Sequence, residues 1–222
     1  MFQAVRPYAG EAGIEDPVIC YQGAVVAEPL SGRWLRHEPI ELRRAREAIE
    51  VVQAEGYGLN CYVDDELYVA EITPEARGYA DFQHITLHPV GPLLEWLDRP
   101  PTKLVVIGDP IELDGLEARM KAYFGGRLHI SKSLPHFLEF AAPSVTKGAG
   151  LAFLADRLGF TEAQTVAFGD GENDVELLEW AGYSVAVANA HERVLAAADL
   201  VCPNVDEEGV AQVIEAFLDS AS

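Results

Sequence analysis

From Pro143 onward the chain alternates helical and strand patterns without a break, and this alternation most narrows the folds open to it. Lys147–Leu158 reads as a helix ending at Gly159, and Thr165–Phe168 as a mostly apolar strand closed by Gly169-Asp170. Asn173–Trp180 then reads as a helix, Ser184–Val187 as a strand and His191–Ala197 as a short helix. Leu200–Cys202 is a further strand, and Glu207–Leu218 a final amphipathic helix. Apolar strands separated by helices predict a parallel, doubly wound α/β sheet with helices on both faces.

The residues upstream follow another rhythm. Phe2, Val5, Ala9 and Ala12 fall at helical spacing before Gly13, and Pro17–Tyr21 is a short apolar run of buried-strand type. Ala24–Ala27 and Gly32–Glu38, around Pro29-Leu30-Ser31, predict a hairpin. Glu41–Glu55 is helical, with Leu42, Ala45, Ile49 and Val52 on one face. Strands are expected at Tyr57–Val63 and Leu67–Ile72, across the acidic turn Asp64-Asp65-Glu66. A less regular stretch follows, holding Tyr79–His88 and a short helix at Pro92–Leu97. Strand Thr102–Ile107, helix Ile111–Phe124 and strands Leu128–Ser131 and Phe137–Ala141 complete the region. This mixed order, α-β-β then β-α-β-β, predicts a separate α+β layer domain at 41–142.

Composition limits the function. The 222 residues carry 36 acidic and 16 basic side chains, a formal charge of −20, which argues against nucleic acid and anionic membranes as partners. No apolar run reaches the roughly 18 residues a membrane helix needs, and no signal peptide is evident. Cys20, Cys61 and Cys202 lie far apart in apolar stretches, as expected of buried thiols in a reducing cytoplasm.

The chemistry concentrates at Ala167-Phe168-Gly169-Asp170-Gly171-Glu172-Asn173-Asp174. An apolar strand ends in a carboxylate, a glycine turn follows, and a second carboxylate opens the next helix. Ligands of open α/β sheets bind beyond the carboxyl ends of the strands. Asp170, Asn173 and Asp174 converging there offer hard oxygens suited to Mg²⁺, directly or through waters. The plainer alternative is a turn in which Asn173 or Asp170 caps free helix N–H groups. Lys147, one of four lysines, opens the preceding helix after Pro143-Ser144-Val145-Thr146. A cation there opposes the helix dipole, so either a phosphate neighbour accounts for it or it is a solvated surface lysine.

Ser144-Val145-Thr146-Lys147-Gly148, Gly169-Asp170-Gly171-Glu172-Asn173-Asp174, Ala188-Asn189-Ala190 and Ala198-Asp199 together resemble the haloacid dehalogenase (HAD) superfamily, and within it the Cof-type phosphatases of subclass IIB. Val18–Ala24 is similar to the family's apolar strand ending Asn-Gly-Ala, with Gln22 standing where the family shows Asn and Gly23 following. The resemblance covers nearly the whole chain. It implies a Rossmann-like core at 1–40 plus 143–222 and an inserted α+β cap domain at 41–142. It also implies Mg²⁺-dependent hydrolysis of small phosphorylated metabolites, such as sugar phosphates, through an aspartyl-phosphate. Lys147 matches the lysine that steadies the nucleophile and the phosphoryl group. Asp170 matches the metal ligand, with Asn173 and Asp174 completing or supporting that site. Asn189, Gln22 and Gly23 fall on substrate-side loops.

The family's first motif, Asp-x-Asp-Gly-Thr, carries the nucleophile, and it is absent from the sequence; the second, a Ser or Thr before Gly-Arg at a strand end just ahead of the helix near Met1, is absent from that place. The expectation is a core short of its first strand–helix–strand, roughly 40 residues, and inactive alone. A late start codon, a fragment or a natural truncation would each produce this. Without those strands the sheet should either expose two edges or close by re-pairing. The competing functional reading is a non-catalytic, phosphometabolite-binding or regulatory homologue. The phosphorylation domain of a P-type ATPase shares the Gly-Asp-Gly-x-Asn-Asp string but not the cap placed before Lys147. Specificity would rest with cap residues, for which His84, His88, Arg127, Lys132 and His136 are polar candidates without a pattern. Oligomeric state is not legible.

Overall fold

The computed structural model describes residues 1–220, which fall into two compact units, Met1–Val145 and the residues from Thr146 onward. In the first unit, helix α1 (Phe2–Glu11) precedes a small antiparallel sheet of β1 (Val18–Cys20), β2 (Val25–Ala27) and β3 (Trp34–His37). The predicted hairpin is the β2–β3 pair.

A six-stranded sheet follows. Its strands are β4 (Asn60–Val63), β5 (Glu66–Val69), β6 (Leu87–Pro89), β7 (Lys103–Ile107), β8 (His129–Leu134) and β9 (Phe137–Ala141), in the order β6-β5-β4-β7-β9-β8. Every pairing is antiparallel except β5 with β6. Side chains alternate across such a sheet, so each strand divides its residues between two faces. Cys61, Val63, Leu104, Val106, Leu138 and Phe140 pack against the apolar stripes of α2 (Leu42–Ala54) and α5 (Pro110–Phe124). Tyr62, Val69, Val105 and Ala141 face the other way, toward Phe2 of α1, Val25 of β2 and Tyr79.

Tyr79 belongs to α3 (Pro74–Gln83), a helix in the stretch expected to be less regular. Its signal was local: Thr73 accepts from the Ala76 N–H as N-cap, and Pro74 supplies a preset φ at N1. Gly78 and a largely exposed outer face hide the periodicity. A single turn, α4 (Leu93–Trp96), precedes β7 as expected.

The second unit is the alternating one. Helix α6 (Lys147–Leu158), β10 (Val166–Gly169), α7 (Val175–Trp180), β11 (Tyr183–Val187), α8 (Glu192–Ala197), β12 (Leu200–Cys202) and α9 (Gly209–Ser220) succeed one another, and the three strands pair in parallel in sequence order. Ala167 and Ala186 pack under Val175 and Leu178 of α7 and Val194 of α8. On the opposite face Val185, Val187 and Cys202 pack under Val210 and Val213 of α9. Helices on both faces make this a doubly wound layer. Asp199 ties β11 to the start of β12, its Oδ2 accepting from the Ser184 N–H and Oγ–H, both at 2.9 Å.

Among the described residues β1 pairs only with β2 and β10 only with β11, so each is an edge strand of its own sheet. All three cysteines are free and buried, and burial pushes the Cys20 thiol up to about 11 and Cys61 up to about 12. No helix among the described residues is long and apolar enough to cross a membrane.

Candidate active-site loop at the end of β10

The parallel strand β10 ends at Gly169, and the chain enters α7 through a 3₁₀ turn, Glu172–Asp174, where a regular helix was expected from Asn173. Asp174 folds back under this turn and is buried. Its Oδ2 accepts from the backbone N–H groups of Asp170 (3.0 Å) and Gly171 (3.1 Å), and its Oδ1 accepts from the Lys147 ammonium. Both oxygens are thus engaged, so Asp174 shapes the loop and places the lysine.

Two glycines make this possible. A Cβ on Gly169 would lie 2.7 Å from Asp174 Cβ and from Leu178 Cδ1. A Cβ on Gly148 would lie 2.4 Å from the Glu176 carbonyl oxygen, so only glycine lets the start of α6 approach α7 this closely. Thr146 caps α6 by accepting from the Ala149 N–H at 3.1 Å, which sets Lys147 as its first residue. The dipole penalty on a cation there is offset by Asp174, an explanation internal to the protein. Lys147 nevertheless keeps about a third of its side chain exposed (32%, against 4% for Asp174), leaving ammonium protons for a further acceptor.

Asp170 is the other kind of carboxylate. It is exposed at the strand's carboxyl end, and among the described residues its side chain makes no hydrogen bond or ion pair. Its backbone is held on both sides, by the N–H to Asp174 and by the carbonyl, which accepts from the His191 N–H at 2.8 Å. The Asn173 amide oxygen folds over Gly171, where a Cβ would meet it at 2.7 Å. Of the four residues read from the sequence as one site, the structure therefore brings Lys147, Asp170 and Asp174 together directly and holds Asn173 in the same turn. Asn189 is exposed beyond β11, and its Oδ1 accepts from the Val205 N–H at 3.4 Å.

Gln22 and Gly23 lie in the first unit, in a 3₁₀ turn after β1 where Tyr21, Gln22 and Gly23 all have positive φ. Gln22 Nε2 donates to Glu139 Oε2 at 3.2 Å. That contact belongs to a buried polar cluster the sequence reading missed. Lys103 Nζ donates to Glu139 Oε1 at 2.9 Å, Ser133 Oγ–H donates to the same oxygen at 2.6 Å, and the Tyr62 ring lies 5.3 Å beneath the ammonium. A readable signal existed: Lys103 is a single charge opening the apolar run Leu104–Ile107, and Glu139 is a single charge inside Phe137–Phe140. The other polar candidates have local partners. His88 bonds Glu66 (3.0 Å), Arg127 bonds Glu47 (2.9 Å), Lys132 pairs with Asp114, His136 bonds the Gly108 carbonyl (3.2 Å), and His84 closes α3 in a left-handed conformation.

The parallel layer, its edge loop and the mixed sheet define a class, and comparison with known proteins identifies it. The family described as haloacid dehalogenase-like hydrolase matches residues 1–214, and the chain belongs to that family. Phosphatase YwpJ of Bacillus subtilis is 29% identical over 232 residues, covering 93% of this chain and 81% of that protein. A crystal structure from Thermotoga maritima is similar with a TM-score of 0.76 and 32% identity, over 93% of this chain and 80% of the other. A subclass IIB sugar phosphatase of the same superfamily gives a TM-score of 0.80 over 95% of this chain and 79% of its own, and at 21% identity that likeness is one of fold.

Proposed function

We propose that this chain contributes the metal- and phosphate-binding part of a Mg²⁺-dependent phosphatase acting on small phosphorylated metabolites, sugar phosphates among them. The observation that carries this reading is the division of labour between two carboxylates: Asp174 is saturated by Lys147 and two amides, while the Asp170 side chain is presented at the strand end without a partner among the described residues. Residues 1–40 and 143–222 would form the catalytic core and 41–142 the inserted cap.

The donor set suits the ion. Mg²⁺ is usually held by one or two carboxylates together with waters and substrate phosphate oxygens, and Asp170 offers such a carboxylate with the Asn173 amide oxygen beside it. When bound, the ion would neutralise charge on the phosphoryl oxygens. Lys147 would bind a second phosphoryl oxygen through its remaining ammonium protons, held in register by Asp174. Hydrolysis by the family's route needs a nucleophilic aspartate in an Asp-x-Asp-Gly-Thr motif, and no such motif occurs in this sequence, so binding without turnover is the expected behaviour. The second reading is a non-catalytic phosphometabolite-binding or regulatory homologue. The free, buried thiols agree with a reducing cytoplasm.

Calorimetric titration with inorganic phosphate tests this. Phosphate should bind only with Mg²⁺ present, and Asp170→Asn and Lys147→Met should each abolish binding. Binding untouched by both substitutions would overturn the site. Release of p-nitrophenol from p-nitrophenyl phosphate, lost in Asp170→Ala, would overturn the expectation of no turnover.

A further inference from the structure

From Thr146 onward the chain carries fourteen acidic side chains against only three lysines and arginines, Lys147, Arg157 and Arg193. Two of those three cations end on the same short turn. The 3₁₀ turn Glu172–Asp174 receives Lys147 of α6 at its last residue and Arg193 of α8 at its first, where Arg193 Nη1 donates to Glu172 Oε1 at 2.5 Å. A second route ties Arg193 to Asp170. The Asp170 carbonyl accepts from the His191 N–H at 2.8 Å, and His191 Nδ1 accepts in turn from the Arg193 N–H at 3.3 Å. The start of α8 is thus anchored on Asp170 itself, and Arg193 closes a ring of contacts back to the loop.

The two cations differ in how firmly they are held. Lys147 is fixed by a buried carboxylate, whereas Arg193 and Glu172 are both open to water, at 61% and 39% side-chain exposure. An ion pair of that kind contributes little to stability, because screening and the ordering of two long side chains offset the attraction. Arg193 can therefore leave Glu172 for another anion at small cost, and the released carboxylate stays solvated. Its planar fork matches a carboxylate or a phosphate through two parallel hydrogen bonds.

We propose that Arg193 is a specificity-determining residue of this loop, selecting phosphate esters that carry a second anionic group. The phosphoryl group occupies the Lys147–Asp170 site, and Arg193 exchanges Glu172 for a carboxylate or second phosphate elsewhere on the same small molecule. This inference rests on the reading of Lys147 and Asp170 as a phosphate site.

Calorimetric titration of the full chain with Mg²⁺ present tests it. The ligands are 3-phosphoglycerate and fructose 1,6-bisphosphate, each with a second anionic group, and glucose 6-phosphate and inorganic phosphate, which have none. At least one of the first two should bind about tenfold more tightly than glucose 6-phosphate, as for one charge-assisted hydrogen-bonded pair, and the tighter one identifies the second group. Arg193→Gln should abolish that preference and leave inorganic phosphate and glucose 6-phosphate unchanged. Arg157→Gln removes the same charge about 15 Å along α6 from Lys147 and should alter none of the four affinities. Absence of the preference, or its survival in Arg193→Gln, overturns the inference while phosphate binding itself stands. Equal losses in Arg193→Gln and Arg157→Gln overturn it too, as an effect of net charge alone. If inorganic phosphate does not bind the parent chain, the phosphate-site reading fails and this inference with it.

Discussion

Each unit of this protein holds a lysine–carboxylate pair, and the two pairs do opposite things. Lys103 and Glu139 are both buried, at 7% and 6% side-chain exposure, and every group around them is used. Ser133 and Gln22 fill the remaining positions on Glu139, and Tyr21 and Tyr62 flank the ammonium. Lys147 and Asp174 bury only the carboxylate. The ammonium stays partly in solvent, one residue past a helix cap and in the same loop cluster as Asp170, whose side chain has no partner among the described residues. A saturated pair organises a core, whereas a half-saturated pair beside a bare carboxylate can accept a ligand. The number of charges is the same in both, and the difference lies in what remains unsatisfied.

The comparison breaks most easily at Glu139. Glu139→Leu should destabilise the protein by about 3–5 kcal/mol, because it leaves Lys103 buried without its counter-charge. Adding Lys103→Met should recover most of that loss, since an apolar pair of similar volume is often neutral or better. Urea unfolding of the single and double variants checks both, and a single variant as stable as the parent would show that the cluster contributes little.

Gly148→Ala comes next. The added methyl has no room against the Glu176 carbonyl, so a loss of about 1–3 kcal/mol is expected, as for overpacking elsewhere. By shifting α6 it should also weaken Mg²⁺-dependent phosphate binding, measured by titration at a temperature where the variant remains folded.

The pH dependence sharpens the contrast. Burial opposes the charge on Glu139, but the Lys103 charge and the hydrogen bonds from Ser133, Lys103 and Gln22 outweigh it and hold the carboxyl below its ordinary 4.5. A depressed carboxyl stabilises the fold above its unfolded value, and that contribution is lost as pH falls below 4.5 and through the folded value. Burial likewise works against the Lys103 ammonium, yet Glu139 and Tyr79 keep it above its ordinary 10.5. Its contribution is complete below 10.5 and is lost as pH rises through the folded value. Thermal melts across pH should show both limbs, and the doubly apolar variant should flatten them.

Lys147→Met should have the smallest effect on stability, within about 1 kcal/mol, as for a pair with one partner in solvent. It should still remove phosphate binding. A large loss of stability here, with binding retained, would make Lys147–Asp174 a structural pair like Lys103–Glu139 and end the distinction between the units.

Much of this was legible from local pattern. Period-two runs, helical stripes and turn residues placed nearly every element, because helices and strands depend on neighbours a few residues apart. The Gly-Asp-Gly-Glu-Asn-Asp string was legible for the same reason, since its turn, its carboxylates and the start of α7 lie within seven residues, Gly169 to Val175. Helix α3 was missed because its evidence was a cap and a proline and not a stripe. The roles within the site were not legible: Asp170 and Asp174 read alike in sequence, and only the fold turns one inward to two amides and a lysine.

What the sequence determined by itself, then, was the alternating layer, the mixed sheet before it and the loop proposed to carry the chemistry, all set by short-range stereochemistry and hydrophobic period. Tertiary structure alone decided which charges are spent. Lys103 meets Glu139 through the antiparallel register of β7 on β9, in which Val105 stands opposite Glu139 and Lys103 lies two residues along on the same face. Lys147 meets Asp174 through two glycines that let α6 and the loop after β10 close on each other. Strand register and helix approach are collective outcomes of packing, so the partners they create are written in no local stretch of the chain.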